Sequence, residues 1–220
     1  MKKALIVLIV LVVAGFAAFT YATRDLAAPS ALVEVDSVKL PVSAGVDMYT
    51  ISNAGSEARY ELDEILKGNP KHVTGVTNAV TGQIEIKAGV VTIKDIAVNA
   101  RTFKTDSEKR DNAVGRYILK SEESVNEFIT FRNVVVTGAS ELMEVGKAVT
   151  ANATGDLTIA GVTRETTFRV DGTLKDGKVL EGIATATVKR SDFALKIPEI
   201  ESVTNVSDEV LLTIRIRAIK

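Results

Sequence analysis

In KVLEGIATATVK, residues 178–189, side chains alternate: Leu180, Gly182, Ala184, Ala186 and Val188 fall on one side, and Glu181, Thr185, Thr187 and Lys189 share the other with Ile183. That two-residue period is the mark of a strand with one buried face. Its inward face consists largely of Gly and Ala, which leaves room behind it. The stretch EVLLTIRIRA, residues 209–218, repeats the period with Val210, Leu212, Ile214 and Ile216 set against Glu209, Arg215 and Arg217.

Working outward, AVTANATGDLTI (148–159) turns Val149, Ala151, Ala153, Leu157 and Ile159 to one side, and TRETTFRVDGTL (163–174) turns Phe168, Val170 and Leu174. The two are joined by a short turn at Ala160-Gly161-Val162, and Lys175-Asp176-Gly177-Lys178 carries the D-G hairpin signal. Upstream, strands are predicted in FITFRNVVVTG (128–138), VVTIKDIAVNARTF (90–103), TNAVTGQIEI (77–86) and MYTISNAGSEARYELDE (48–64), the last interrupted at Asn53-Ala54-Gly55. The phase slips between Ile93 and Ile96, which predicts a bulge near Lys94-Asp95. Eight strands with short connections predict an all-β, eight-stranded antiparallel barrel. An eight-stranded barrel can be filled by side chains or can hold one small ligand. The inward Ala and Gly fit a cavity; they equally fit a taper packed against Phe103, Phe131, Phe168 and Phe193.

One piece breaks the β pattern. In DSEKRDNAVGRYIL (106–119), Val114, Tyr117 and Ile118 have i, i+3, i+4 spacing among dense charges, which predicts a short helical insert. Asp106 is the expected N-cap and Ser121, ahead of Glu122 and Glu123, a second one. The insert reads as a lid with Val114, Tyr117 and Ile118 over the barrel mouth and Glu108, Lys109, Arg110 and Arg116 in water, or as a solvated connection.

The chain has 220 residues, and its start bears on the compartment. Lys2 and Lys3 precede sixteen apolar residues, ALIVLIVLVVAGFAAF, from Ala4 to Phe19. Residues 1–22 therefore read as a cleaved signal peptide or a transmembrane anchor, which puts the remainder of the chain outside the cytoplasm. No cysteine is present, so neither a lipid-modified cysteine nor a disulfide holds the protein. Residues 23–47, with Pro29 and Pro41, read as a tether with a short strand near Leu32 to Val38, and residues 48–220 as the barrel.

Composition narrows the chemistry. Without Lys2 and Lys3, 25 basic residues face 28 acidic ones, a poor balance for nucleic acid. The single histidine, His72, sits in KGNPKHVTG, which reads as a polar surface loop. Zinc hydrolysis and Ser-His-Asp or Cys-His catalysis lack their parts. Glu57, Glu61 and Asp63 fall on an outward parity rather than flanking a cleft, and Arg59 and Arg101 read as outward strand residues. Neither a catalytic nor a metal site is expected, and no calcium-loop spacing occurs.

Five pieces in order, SEARYELDE (56–64), FKTDSEKRDNAVGRYIL (103–119), FITF (128–131), GDLTIAGVTRETTFRV (155–170) and RSDFAL (190–195), make the chain resemble the YceI-like family. The resemblance implies an extended lipocalin-like barrel, exported from bacteria, holding an isoprenoid lipid or an isoprenoid quinone in its lumen without catalysis. The expected lining is Tyr60, Leu62, Ile84, Ile86, Ile96, Val98, Phe103, Tyr117, Phe131, Leu157, Ile159, Phe168, Val170, Ala184, Ala186, Val188, Phe193, Val210, Leu212 and Ile214. The expected partners are that lipid, the membrane if residues 1–22 are retained, and a second copy if the chain forms a homodimer. The rival reading is a membrane-anchored structural or interaction β-domain with a packed core.

Overall fold

The computed structural model describes residues 45–139, 142–198 and 201–220. The expected signal or anchor and most of the tether lie outside them; the first strand, β1 (Val46–Ile51), begins two residues before the expected domain start at 48.

Eight strands close into an antiparallel ring: β1, then β4 (Val80–Lys87), β5 (Val90–Asn99), β6 (Phe128–Thr137), β7 (Ala148–Ile159), β8 (Val162–Leu174), β9 (Val179–Lys189) and β11 (Glu209–Ile219), which returns to β1. The final seam is short, pairing Thr50 with Ile219 and Ile51 with Ala218. Beyond the break at residues 52–56, β2 (Glu57–Leu66) continues β1 along the same partner, pairing Leu211 to Arg215 of β11. The chain then doubles back as β3 (Asn69–Thr77), which contains His72, so the expected loop there is a strand. A two-residue strand, β10 (Val203–Thr204), pairs with Ile65 and Leu66 at the far end of β2.

Alternation places the core as expected. Val149, Ala151, Ala153, Leu157 and Ile159 of β7 are all buried, as are Leu180, Ala184 and Ala186 of β9, while Ile183 is exposed. The pairing of β4 with β5 steps two residues on β4, Gly82 to Ile84, against three on β5, Ile96 to Ile93. The extra residue therefore lies at Lys94-Asp95, where the phase slip put it. A second shift, between Arg132 and Val135 of β6, was not expected. Asn133 takes φ +52° there, a region Asn tolerates, and donates to Asp156 at 2.7 Å. Gly155 opposite makes room, because a Cβ on it would lie 2.6 Å from the Arg132 carbonyl.

At one end the ring is incomplete. β3 pairs with β2 but meets the wall after β5 through a single bridge from Val76 to Lys104, with reciprocal 2.8 Å hydrogen bonds, and a 2.6 Å contact between the Thr77 and Thr102 hydroxyls. The insert covers this splay. Its helix, α1 (Glu108–Ala113), is capped by Ser107, whose side chain accepts from the Arg110 amide, rather than by Asp106. Asp106 instead pairs with Lys71 of β3 at 2.6 Å and with Arg110. A π-helical turn follows over Val114–Ile118, closed by the Leu119 amide donating to the Val114 carbonyl at 2.8 Å. Ser121 caps nothing; it is buried and donates to the Gly115 carbonyl. Arg101 lies in a 3-10 turn and not a strand, and fastens the end of the insert through the Ser121 carbonyl at 2.6 Å and Glu127 at 3.1 Å.

Candidate functional site

The middle of the barrel is hollow in two places. The upper cavity, under the insert, offers about 130 Å³ to the centre of a water-sized sphere. About one-tenth of that would seat a water molecule. The strands give it Leu62, Val98, Leu157, Val188, Val210 and Leu212; the insert gives Val114, Ile118 and Leu119. The lower cavity, about 80 Å³ by the same measure, lies among Ile84, Ile93, Ile96, Val170, Ala184 and Ile216, with Met143 at its end. Phe168 and Ile214 line both. Phe131, another lower-cavity residue, stands edge-on to Phe168 with centroids 5.1 Å apart, so Phe168 and Ile214 form a septum between the spaces.

Polar chemistry gathers where the upper cavity meets the insert. Arg110 donates to Glu64 at 2.7 Å, and both side chains are largely buried, at 15% and 7% exposure. Asp111 accepts from the amide and the hydroxyl of Thr105, each at 2.7 Å. Arg190, also at the cavity wall, donates to the Ser207 and Leu195 carbonyls, each at 3.2 Å, and lies 3.9 Å from Asp208. The Tyr60 ring lies against Phe103, with centroids 5.3 Å apart. Among the described residues its buried hydroxyl has no hydrogen-bond partner. Burial, reinforced by Asp111 and Glu64 and opposed by Arg110, pushes that hydroxyl up to about 12, so it remains a neutral donor.

The profile of the YceI-like domain matches residues 49–218. The chain belongs to the YceI-like family. Two solved structures are similar in fold to it. A Saccharophagus degradans domain, described as polyisoprenoid binding and implicated in plant cell wall breakdown, is 13% identical with a TM-score of 0.59, covering 80% of this chain and 99% of that one. Burkholderia cenocepacia BcnA is 18% identical with a TM-score of 0.54, covering 76% of this chain and 98% of its own. None of the curated proteins matches the chain.

Within this YceI-like barrel, all the residues expected to line the lumen face one cavity or the other except Ile86, Ala186 and Tyr117. Ile86 and Ala186 are buried in the core without bordering either space. Tyr117 is 57% exposed, lying beside Arg116 rather than over the mouth. The cavities are also lined by residues outside that expected set, among them Val91, Ile93 and Ile216 on strands and Leu195, Ile197 and Met143 outside them. Leu195 and Ile197 follow the 3-10 turn at Arg190–Phe193 and Met143 follows β6, so none of these three sits in an alternating run that would have marked it. Arg59 engages Glu57 at 3.0 Å.

His72 has partners that the sequence did not show. Its Nδ1 lies 2.8 Å from Asp63 and its Nε2 3.5 Å from Glu61, both on β2. The hydrogen bond to Asp63 raises its pKa most; burial opposes the rise and Glu61 adds to it. A raised folded pKa gives stability that is complete below the unfolded value near 6.5 and vanishes as pH climbs through the folded value. The ring is exposed, so the gain is under ~1 kcal/mol. Urea midpoints of the wild type should fall slightly across neutral pH, and H72Q should flatten that slope; an equal slope in both proteins refutes the assignment.

Proposed function

We propose that the protein is a non-enzymatic carrier that works outside the cytoplasm after export through residues 1–22 and holds one long, branched, isoprenoid-type chain along the barrel axis. The observation that carries this reading is the pair of apolar cavities stacked under the insert. Packing the lower one solid would need larger side chains at positions such as Ala184, yet the space is left open. Family membership and the description of the Saccharophagus degradans domain support an isoprenoid cargo. Burial supplies the binding energy, at ~25 cal/mol per Å² of apolar surface removed from water. The insert acts as the cover, with Val114, Ile118 and Leu119 in contact with the cargo and the Arg110–Glu64 pair holding it shut.

The test is to purify the protein from a bacterial host, extract it with organic solvent and identify what dissolves. About one long-chain isoprenoid per barrel is expected. Returning a polyprenol to the stripped protein at a hundredfold excess over its dissociation constant should add ~2.7 kcal/mol to unfolding. An extract free of apolar chains, together with a urea midpoint that polyprenol leaves in place, would instead mark an interaction module.

A further inference from the structure

The end of the barrel at which Met143 closes the lower cavity carries an apolar rim. Val46 of β1, Lys87 of β4 and Val90 of β5 stand opposite one another in a row across the three strands. Directly opposed residues share a face of the sheet. Here it is the outer face, since Val46 is 53% exposed and Val90 57%. Met48, two residues along β1, turns the same way and is also exposed. Leu142, 55% exposed, joins the row beside the turn between β4 and β5. The Met143 amide donates to the Gly89 carbonyl at 2.8 Å, and a Cβ on Gly89 would lie 2.7 Å from that of Leu142. The glycine that makes the turn therefore also makes room for the leucine. Apolar side chains scattered singly over a surface need no explanation; several gathered on one rim do.

We infer that this rim docks on a lipid bilayer, with Val46, Val90 and Leu142 at the boundary between headgroups and acyl chains and the insert at the far end. The inference goes beyond the carrier reading and does not depend on it. What names the occupant is the place where the chain enters the barrel. Read backwards from Val46, the sequence runs through the tether to the sixteen apolar residues from Ala4 to Phe19. A few apolar side chains alone hold a protein to a bilayer weakly. A second attachment on the same chain makes their contact effectively intramolecular, and a weak rim then suffices. Lys87, between the two valines, suits the boundary, because a lysine stem lies along apolar neighbours while its ammonium reaches the headgroups. Charges nearby are largely paired within the barrel: Lys220 with Asp47 at 2.7 Å, Lys147 with Glu144 at 3.3 Å and Lys175 with Glu181 at 3.5 Å. The contact is therefore one of insertion rather than of charge. Exposed apolar residues also occur at the upper end, at Tyr117, Val125 and Phe128, but the chain that leads to the apolar run departs from the lower one. Docked this way, the protein sets the end of its lower cavity beside the lipid.

The tether could reach a bilayer from either end of the barrel, so the experiment compares the two. The chain contains no tryptophan, and a single one introduced by substitution reports its own surroundings. Full-length V90W and, at the upper end, full-length V125W are reconstituted into phosphatidylcholine vesicles containing lipid brominated near the headgroup end of its chains. V90W should emit further to the blue and be quenched several-fold more strongly than V125W. The contrast should persist at ~1 M salt, where the screening length falls to about 3 Å. L142E in the V90W chain should diminish both the blue shift and the quenching. V46W serves as the second reporter should V90W misfold. Quenching of neither protein, equal quenching of both, stronger quenching of V125W or a contrast that salt abolishes overturns the docked rim. So does a blue-shifted V90W emission that brominated lipid leaves unquenched, since a second copy of the chain would then be covering the rim. Each of these results leaves the carrier reading to its own test by extraction.

Discussion

Replacing Phe168 by alanine is expected to cost the barrel about 3–5 kcal/mol in urea unfolding while joining its two cavities into one. The ring is 2% exposed, borders both spaces and packs edge-on against Phe131. Its removal therefore forfeits apolar burial, an aromatic pair and the wall between the chambers. The neighbours belong to hydrogen-bonded strands and cannot collapse far, which puts the cost at the upper end for a core truncation. The same change should lengthen the longest chain retained in native mass spectra, because the tail no longer has to displace the ring. F168L, which keeps more bulk, should cost less and admit less. A loss under ~1.5 kcal/mol with an unchanged cargo would mean that the ring does not divide the lumen.

The second large effect is expected at the insert. R110M keeps much of the side chain's bulk but leaves the Glu64 carboxylate, 7% exposed, without its cation. Breaking one side of a buried pair costs ~3–5 kcal/mol, chiefly through the stranded charge. Arg110 keeps some access to water, so the lower part of that range is expected. E64Q in the same chain should recover most of the stability, since a neutral amide tolerates the site. Amide exchange across residues 106–119 should quicken in R110M and leave β7 to β9 unchanged. A single mutant as stable as the wild type, or a double mutant no better than R110M, would show that the pair does not secure the cover.

Much of the barrel was legible because its strands are amphipathic. Even the Lys94-Asp95 bulge announced itself, through the change of parity between Ile93 and Ile96. The bulge at Asn133 did not, since Val134, Val135 and Val136 read the same in either phase. The strand containing His72 was hidden by Pro70 and Gly75. Proline is tolerated there because β3 is an edge strand with no neighbour on its far side over most of its length. The inward position of Glu64 was in principle readable: it shares parity with Ala58, Tyr60 and Leu62. A charge at the end of an apolar face looks like the place where burial stops, and only its tertiary partner Arg110 shows otherwise. Tyr117 was misplaced by a local event. Helical spacing of 3.6 residues groups Val114, Tyr117 and Ile118, but the wider π turn takes one more residue to come round. The residues brought to the cavity are then Val114, Ile118 and Leu119, and Tyr117 turns outward.

The short seam between β1 and β11 has a bearing on how this protein comes into being. Local hairpins from β7 to β9 can form early, but the circle exists only when Thr50 and Ile51 meet Ala218 and Ile219 across nearly the whole described sequence. Such distant pairings are slow, because the chain's freedom is surrendered before any contact repays it. Until that moment the sheet is an open trough with its greasy concave side exposed to water, and anything that wets that side well can be wrapped up as the final strand docks instead of being threaded in afterwards.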